Sequence, residues 1–327
     1  MEIDFFSIGD TQLDTVMVLD PQEVDVRCKL NNVECTMNLD YAGKVPVREL
    51  HEMVAGNAAN AAVTGARLNG GAGFWTMLGD DEIADRQIKF LKDQGVDTTF
   101  VKKTPNAQSN QSTVISVSGE RTILVFHADR QYVLPANLPK AKWVYLTSMA
   151  KGSEDIFDDL AKYIDETGAK LAYQPGTYQL RMGADRAKEI LNRTDFIVMN
   201  KQEAQLYGQN DDEEISHLLD ALKALGPKIV VITDGKNGSY ATDGTKKWYL
   251  GIRPEIPRIE STGAGDAFSS AFAVSLLEGK SIPEAMRRGT FNAEGVIQKF
   301  GPQAGILTKE QMEIEVQGNP DLQPKEI

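Results

Sequence analysis

The sequence predicts an α/β fold: a doubly wound, mostly parallel sheet flanked by helices, with a small inserted β-sheet as a lid. Three observations predict it. From Trp143 onward, short apolar runs alternate with helical stretches, the rhythm of parallel strands joined by crossover helices. Two earlier blocks, about 11–45 and 98–127, alternate apolar and polar residues instead, as strands with one wet face do. Finally, Glu260-Ser261-Thr262-Gly263-Ala264-Gly265-Asp266-Ala267-Phe268 sets small residues before an aspartate and a small, apolar run, a glycine turn opening a buried helix. The whole chain, 1–327, reads as one α/β domain carrying the two lid segments.

Taken in order, Phe5–Ile8 is a first strand ending at Gly9-Asp10. Thr15–Leu19 and Val24–Leu39 follow, with Val24, Val26, Cys28 and Leu30 on one side and Asp25, Arg27 and Lys29 on the other. Ala55–Leu68 carries a small residue at nearly every turn, which suits a helix packed closely on a sheet and opening at Gly56-Asn57. Phe74–Leu78 reads as a buried strand, and Gly79-Asp80-Asp81 starts an amphipathic helix to about Gln94. Thr113–Val117 and Thr122–Phe126 flank the turn Ser118-Gly119-Glu120 as a hairpin.

The second half supplies strands at Val144–Thr147, Leu171–Tyr173, Phe196–Met199 and Ile229–Thr233. Helices fall between them at about Glu154–Glu166, Ala184–Leu191 and Glu213–Leu225. A hairpin at Ser239–Thr242 and Lys247–Leu250 precedes helices at Ala264–Glu278 and Ile282–Phe300, and the tail after Ile306 is polar.

Composition narrows the function classes. With 35 basic and 47 acidic residues the net charge is −12, which argues against nucleic-acid and anionic-membrane partners. No apolar run approaches the ~18 residues of a membrane span, and Met1–Gly9 lacks a signal-peptide pattern, so a cytoplasmic location is expected. Cys28 and Cys35 make no zinc pattern; they suffice for one bridge, but read as free thiols in a reducing compartment, and His51, His127 and His217 show no ligand spacing.

The chemistry turns on the 263–266 stretch. A G-x-x-x-x-G-K-[ST] phosphate loop is absent, and Phe268 stands where a dinucleotide fingerprint needs its third glycine. Taken alone, Gly263-Ala264-Gly265-Asp266 fits equally a tight strand–helix turn whose aspartate caps the helix. The other reading is an anion turn with a base beside it. An acid next to a phosphate site repels its ligand unless it has chemical work, and accepting a proton in phosphoryl transfer is such work.

Four motifs in order favour the second reading: Glu260–Phe268, the run Ala55-Gly56-Asn57-Ala58-Ala59-Asn60, Asn200-Lys201-Gln202-Glu203, and Thr233-Asp234-Gly235-Lys236-Asn237-Gly238. Together they resemble the ribokinase-like (PfkB) family of carbohydrate and nucleoside kinases over most of the chain. The resemblance implies an ATP-dependent phosphotransferase acting on a sugar or sugar-like alcohol, with a nucleoside (adenosine-type) kinase as the nearer alternative. A catalytically silent ligand-binding relative is the alternative from another class, and a dehydratase of the same fold a weaker competitor.

Carried over residue by residue, the resemblance makes Asp266 the general base and Gly263, Ala264, Gly265 and the Asp266 backbone the anion hole. It places Asp14, Gly56, Asn57 and Asn60 on the substrate hydroxyls, since a carboxylate and amides suit groups that both donate and accept. It sets Asn200, Lys201, Thr233, Gly235, Gly238 and Asn292 about ATP, and Glu203 on Mg²⁺ through water. Each has a plainer reading: Asn60 as an internal hydrogen bond, Glu203 as a helix-start carboxylate, Asp14 as a turn cap, Asn292 as an ordinary helical asparagine. Arg130 stands where it reaches a polar substituent of the substrate or pairs with a surface acid. Asn57 replaces the lysine of ribokinases proper. Glu260 replaces the family's more common aspartate near its monovalent-cation contacts, which bears on K⁺. The one-sided lid strands leave apolar surface for a second copy, so a homodimer through the lid is expected.

Overall fold

The computed structural model describes residues 2–28, 35–118 and 120–327. In chain order, β1 (Glu2–Ile8) leads to β2 (Gln12–Leu19), the short pair β3 (Asp25–Cys28) and β4 (Cys35–Asn38), and β5 (Val47–Ala55). Helix α1 (Asn57–Asn69) returns the chain to β6 (Ala72–Trp75) and β7 (Met77–Gly79), and α2 (Glu82–Asp93) precedes β8 (Lys102–Thr104). The hairpin β9 (Gln111–Val117) and β10 (Glu120–Phe126) comes next. Strand β11 (Lys140–Leu146) and helix α3 (Phe157–Thr167) open the alternating half, followed by β12 (Lys170–Tyr173), α4 (Thr177–Met182) and α5 (Lys188–Leu191). It continues through β13 (Thr194–Asn200), α6 (Lys201–Gly208), α7 (Ile215–Ala224) and β14 (Ile229–Thr233). After β15 (Ser239–Thr242) and β16 (Lys247–Leu250) come α8 (Ala264–Leu277), α9 (Ile282–Ile297), α10 (Lys309–Gly318) and β17 (Lys325–Glu326).

Among the described residues the large sheet has the order β17-β16-β15-β14-β13-β12-β11-β1-β6. Strands β6, β1 and β11 to β14 run parallel, while β15 to β17 run antiparallel at one edge. The chain leaves β1 for β6 on one side and for β11 on the other, so the strand order reverses beside the carboxyl end of β1. In such sheets that reversal opens a crevice where ligands bind.

Strand periodicity divides the core. Phe5 packs with Phe196, Phe272 and Met286 on the side covered by α1, α8 and α9, and Phe6 packs with Ile156, Leu160 and Leu218 on the side of α3 and α7. Phe196 stacks on Phe272 with centroids 4.6 Å apart, and each ring buried this way contributes about 2–3 kcal/mol. Helix α8 is buried from Asp266 to Ser275, and its serines do not orphan their hydroxyls. Ser270 donates to the Asp266 carbonyl at 2.5 Å and Ser275 to that of Ala271 at 2.7 Å.

A second sheet, order β10-β9-β2-β5, stands apart from the first. Its β5 is missing from the sequence reading, because Val47 to Glu52 is largely exposed and shows no apolar face until Val54. Phe74–Leu78 is not one strand: β6 pairs with β1, whereas β7 pairs with β8. The expected strand from Val24 shortens to β3, and Lys29 and Leu30 lie outside the described residues, as does Gly119 of the expected turn. The polar tail holds a helix, α10, whose signal is the box Thr308-x-x-Gln311: Thr308 Oγ1 accepts from the Gln311 N–H at 3.3 Å and Gln311 Oε1 from that of Thr308 at 2.9 Å. The reading of free thiols is also corrected. Cys28 and Cys35 are opposite each other in the β3–β4 register, Cα atoms 4.0 Å apart, and are disulfide-bonded. Among the described residues no helix is long and apolar enough to cross a membrane.

Candidate active site

Parallel strands share a polarity, so their carboxyl ends deliver side chains to one edge of the sheet. Asp10 follows β1, Gln174 follows β12, Asn200 ends β13 and Thr233 ends β14. The starts of α1 and α8 are brought to the same region by two close approaches. Gly56, with φ 103°, lies where a Cβ would sit 2.8 Å from the Asp10 carbonyl. Gly263, with φ 79°, lies where a Cβ would sit 2.6 Å from Pro302. Only glycine meets both demands without strain.

These helix starts place Asp266 beside Asn60. Asn60 Nδ2 donates to Asp266 Oδ2 at 2.8 Å, and Gln174 Nε2 donates to Oδ1 at 3.0 Å. The two amides are fixed in turn. Gln303 Nε2 donates to Asn60 Oδ1 at 2.7 Å, and Gln174 Oε1 accepts from Tyr145 at 2.5 Å and Ser269 at 3.1 Å. Burial pushes the Asp266 carboxyl above its ordinary range, and the Asn60 and Gln174 bonds partly offset this. Gln174, Gln303 and Tyr145 are absent from the sequence reading. The one sequence signal is that Gln174 directly follows a strand.

The turn at Gly263 has no side-chain cap; the Ala264 N–H donates to the Ser261 carbonyl at 3.2 Å, and the next two N–H groups of α8, those of Gly265 and Asp266, are open to a ligand. Ala264 and Gly265 line a cavity of about 380 Å³ together with Thr233, Gly235, Gly238 and Phe268. The structure thus brings the 233–238 loop and the 263–265 turn to one cavity. On its wall Arg253 Nε bonds Glu294 Oε2 at 2.7 Å, with the guanidinium carbon 4.9 Å from the Phe291 ring centroid. Asn292, expected about ATP, does not line this cavity. It is fully buried, with Nδ2 on the Ala267 carbonyl at 2.8 Å and Oδ1 accepting from the Leu307 N–H at 2.9 Å. Its amide ties α9 to α8, while Thr290, Ala293 and Glu294 face the space.

Asp14 sits in β2 opposite Ser112 and accepts from Gln12 Nε2 at 2.8 Å; burial raises its carboxyl, against that bond. Asn57 is half-buried in the first turn of α1. Among the described residues Arg130 makes no acid pair: its Nη2 donates to the Gln108 carbonyl at 2.8 Å, with Asn110 Oδ1 at 3.5 Å. A different arginine reaches the motif. Arg121 of β10 pairs through Nη1 with the Glu260 carboxylate and the Thr262 hydroxyl. Burial works against the charged Glu260, but Arg121 and the Gly301 N–H, at 2.9 Å, hold its carboxyl below the ordinary range.

Asn200 and Glu203 form a reciprocal cap on α6: Asn200 Oδ1 accepts from the Glu203 N–H at 2.9 Å, and Glu203 Oε2 from the Asn200 N–H at 2.8 Å. Glu203 nevertheless keeps Oε1. Burial raises its carboxyl, which the Asn200 bond opposes and the charge of Asp266 reinforces. Lys201 is drawn to Glu213, Nζ to Oε2 at 2.6 Å. Among the described residues no three His, Cys, Asp or Glu side chains cluster to cage a metal.

Comparison with known proteins places the chain. A family model described as pfkB family carbohydrate kinase matches residues 25–309. The ribokinase of Bacillus subtilis is 27% identical over 294 residues, 88% of this chain and 96% of that protein. The 5-dehydro-2-deoxygluconokinase of Geobacillus thermodenitrificans is 28% identical over 285 residues, 80% and 83% of the two chains. The solved structure of Arabidopsis thaliana ribokinase complexed with ribose and ATP shares the fold, with a TM-score of 0.80 and 21% identity over 97% of this chain and 99% of that one. The chain belongs to the pfkB family of carbohydrate kinases and is a phosphotransferase.

Proposed function

We propose that this kinase transfers the γ-phosphoryl group of ATP to a hydroxyl of a sugar or sugar-like alcohol, with Asp266 as base. The observation that carries the reading is the buried Asp266 carboxylate one residue beyond Gly265, which lines the cavity at the uncapped start of α8. ATP fits the cavity of Thr233, Gly235 and Gly238, its phosphates directed at the free N–H groups of the turn. Asp14, Gly56, Asn57 and Asn60 hold the acceptor. The smaller sheet acts as the lid that excludes water.

Asp266 takes the hydroxyl proton as the acceptor oxygen bonds to the γ-phosphorus and the bond from that phosphorus to the ADP oxygen breaks. The N–H groups of the 263–266 turn face the charge that gathers on the transferred group. They are fixed beforehand, so no reorientation is needed. When bound with ATP, Mg²⁺ neutralises phosphate charge, and Glu203 Oε1 would hold it through water.

A panel of sugars and nucleosides with ATP and Mg²⁺, read as ADP release, tests the reading. Sugar-dependent release supports it; release with nucleosides alone moves the acceptor to a ribose hydroxyl. Nucleotide binding without turnover on any acceptor overturns it in favour of a silent relative. We further read the exposed Ile123, Leu124, Val125 and Phe126 of edge strand β10 as covered by a second copy. A monomeric mass by light scattering would remove that assignment.

A further inference from the structure

Family resemblance brings K⁺ to the region of Glu260, and the residues present do not fit it. Both carboxylate oxygens are taken: Oε1 by the Arg121 guanidinium and Oε2 by the Gly301 N–H at 2.9 Å. The pair is closed in, with the Glu260 side chain 5% exposed and that of Arg121 19%. Phe300 lies against the guanidinium, its ring centroid 5.9 Å from the central carbon. A monovalent cation on this carboxylate would lie against a guanidinium that already balances its charge and does not deprotonate.

We propose that Arg121 supplies the positive charge of the 260–262 turn in place of a monovalent cation. It is a positioning residue: one nitrogen bridges Glu260 and Thr262, directly before Gly263, and so ties β10 to the head of α8. A solvent cation would serve the turn whether the smaller sheet is open or closed. A guanidinium carried by β10 serves it only when that sheet is in place. The catalytic part of this inference rests on the kinase reading above; the ion-binding part does not.

The test compares KCl with choline chloride at about 100 mM, equal in ionic screening, on the full chain. Thermal unfolding and, with the acceptor found by the panel, initial rates are measured in both salts. The wild type should unfold at the same temperature in both and differ in rate by less than about twofold. Arg121→Ala leaves Glu260 buried without its partner, so K⁺ should now raise its unfolding temperature relative to choline. Its kcat should fall at least about tenfold, with the nucleotide KM little changed, and Arg121→Lys should recover most of the loss.

K⁺ activation or K⁺ stabilisation of the wild type overturns the proposal. So does an Arg121→Ala protein that matches the wild type in rate and in both salts. Should Arg121→Ala fail to fold by circular dichroism, the wild-type salt comparison and Arg121→Lys still decide. Should no acceptor be turned over, the kinase reading fails separately, and the unfolding data still report whether Glu260 binds K⁺.

Discussion

Asn60 Nδ2 donates to Asp266 Oδ2 at 2.8 Å, joining the start of α1 to the start of α8 across 206 positions of sequence. The second donor, Gln174, is also a neutral amide. A carboxylate held by Arg or Lys is stabilised in its charged form and becomes a weak base. One held by two amides and raised by burial keeps more appetite for a proton.

Asp266→Asn should therefore cut turnover by about 10²–10⁴-fold, the usual contribution of a positioned base. The ATP dissociation constant, measured by titration calorimetry, should stay within about twofold. Near-wild-type turnover in the variant would remove Asp266 from the mechanism.

The pH profile follows from the direction of the Asp266 shift. Only the deprotonated carboxylate accepts a proton, so kcat/KM falls as pH drops through the raised value. The acid limb should lie above the range of a free aspartate, about 3.9. Asn60→Asp replaces an amide donor by a second carboxylate 206 positions away in sequence but in contact in space. Like charge raises the proton affinity further, so the acid limb should move to still higher pH. A profile unmoved in this variant would mean that another group sets the limb.

Asn292 offers a test of packing against nucleotide contact. Asn292→Ala strands the part-buried Leu307 N–H, while the Ala267 carbonyl, inside α8, loses its second donor but keeps its helical one. An unpaired buried group costs about 1–3 kcal/mol, which urea unfolding would register. The KM for ATP should change little. A large KM effect at unaltered stability would return Asn292 to the nucleotide.

Gly263→Ala should be costly in both respects. The new Cβ would meet Pro302 at 2.6 Å in a backbone of positive φ. The strain should cost about 1–3 kcal/mol in denaturant midpoint, and the displaced turn should lower kcat more than it raises the KM for ATP. Gly265→Ala is the control for stability alone: no described protein atom lies within 4 Å of its Cβ position, but the residue lines the proposed nucleotide cavity.

The same residues explain what the sequence makes legible. Strands such as Phe196–Met199 are buried on both faces and announce themselves as short apolar runs. Gly263, Asp266 and Asn60 carry local patterns because a turn and a tight helix constrain their neighbours. Gln174 and Gln303 have no such neighbours; the topology alone brings them to Asn60 and Asp266. Arg121 sits in an exposed hairpin, where a charged residue is expected and only the tertiary partner gives it meaning. Asn292 shows the converse: its place in a helix says nothing of its partners, which are the Ala267 carbonyl and the Leu307 N–H. Cys28 and Cys35 mislead because composition speaks to compartment, while the strand register sets them opposite each other.

The shared polarity of β1 and β11 to β14 also bears on how the protein can be attached to a surface. Their amino ends carry Lys140, Lys170 and, beside β14, Lys228, which bonds Asp195 at 2.8 Å. A seven-residue strand such as β11 or β13 spans about 23 Å. Amine-directed coupling at this rim would anchor the molecule a full strand length from Gln174, Asp266 and the cavity, and leave the site facing the solution.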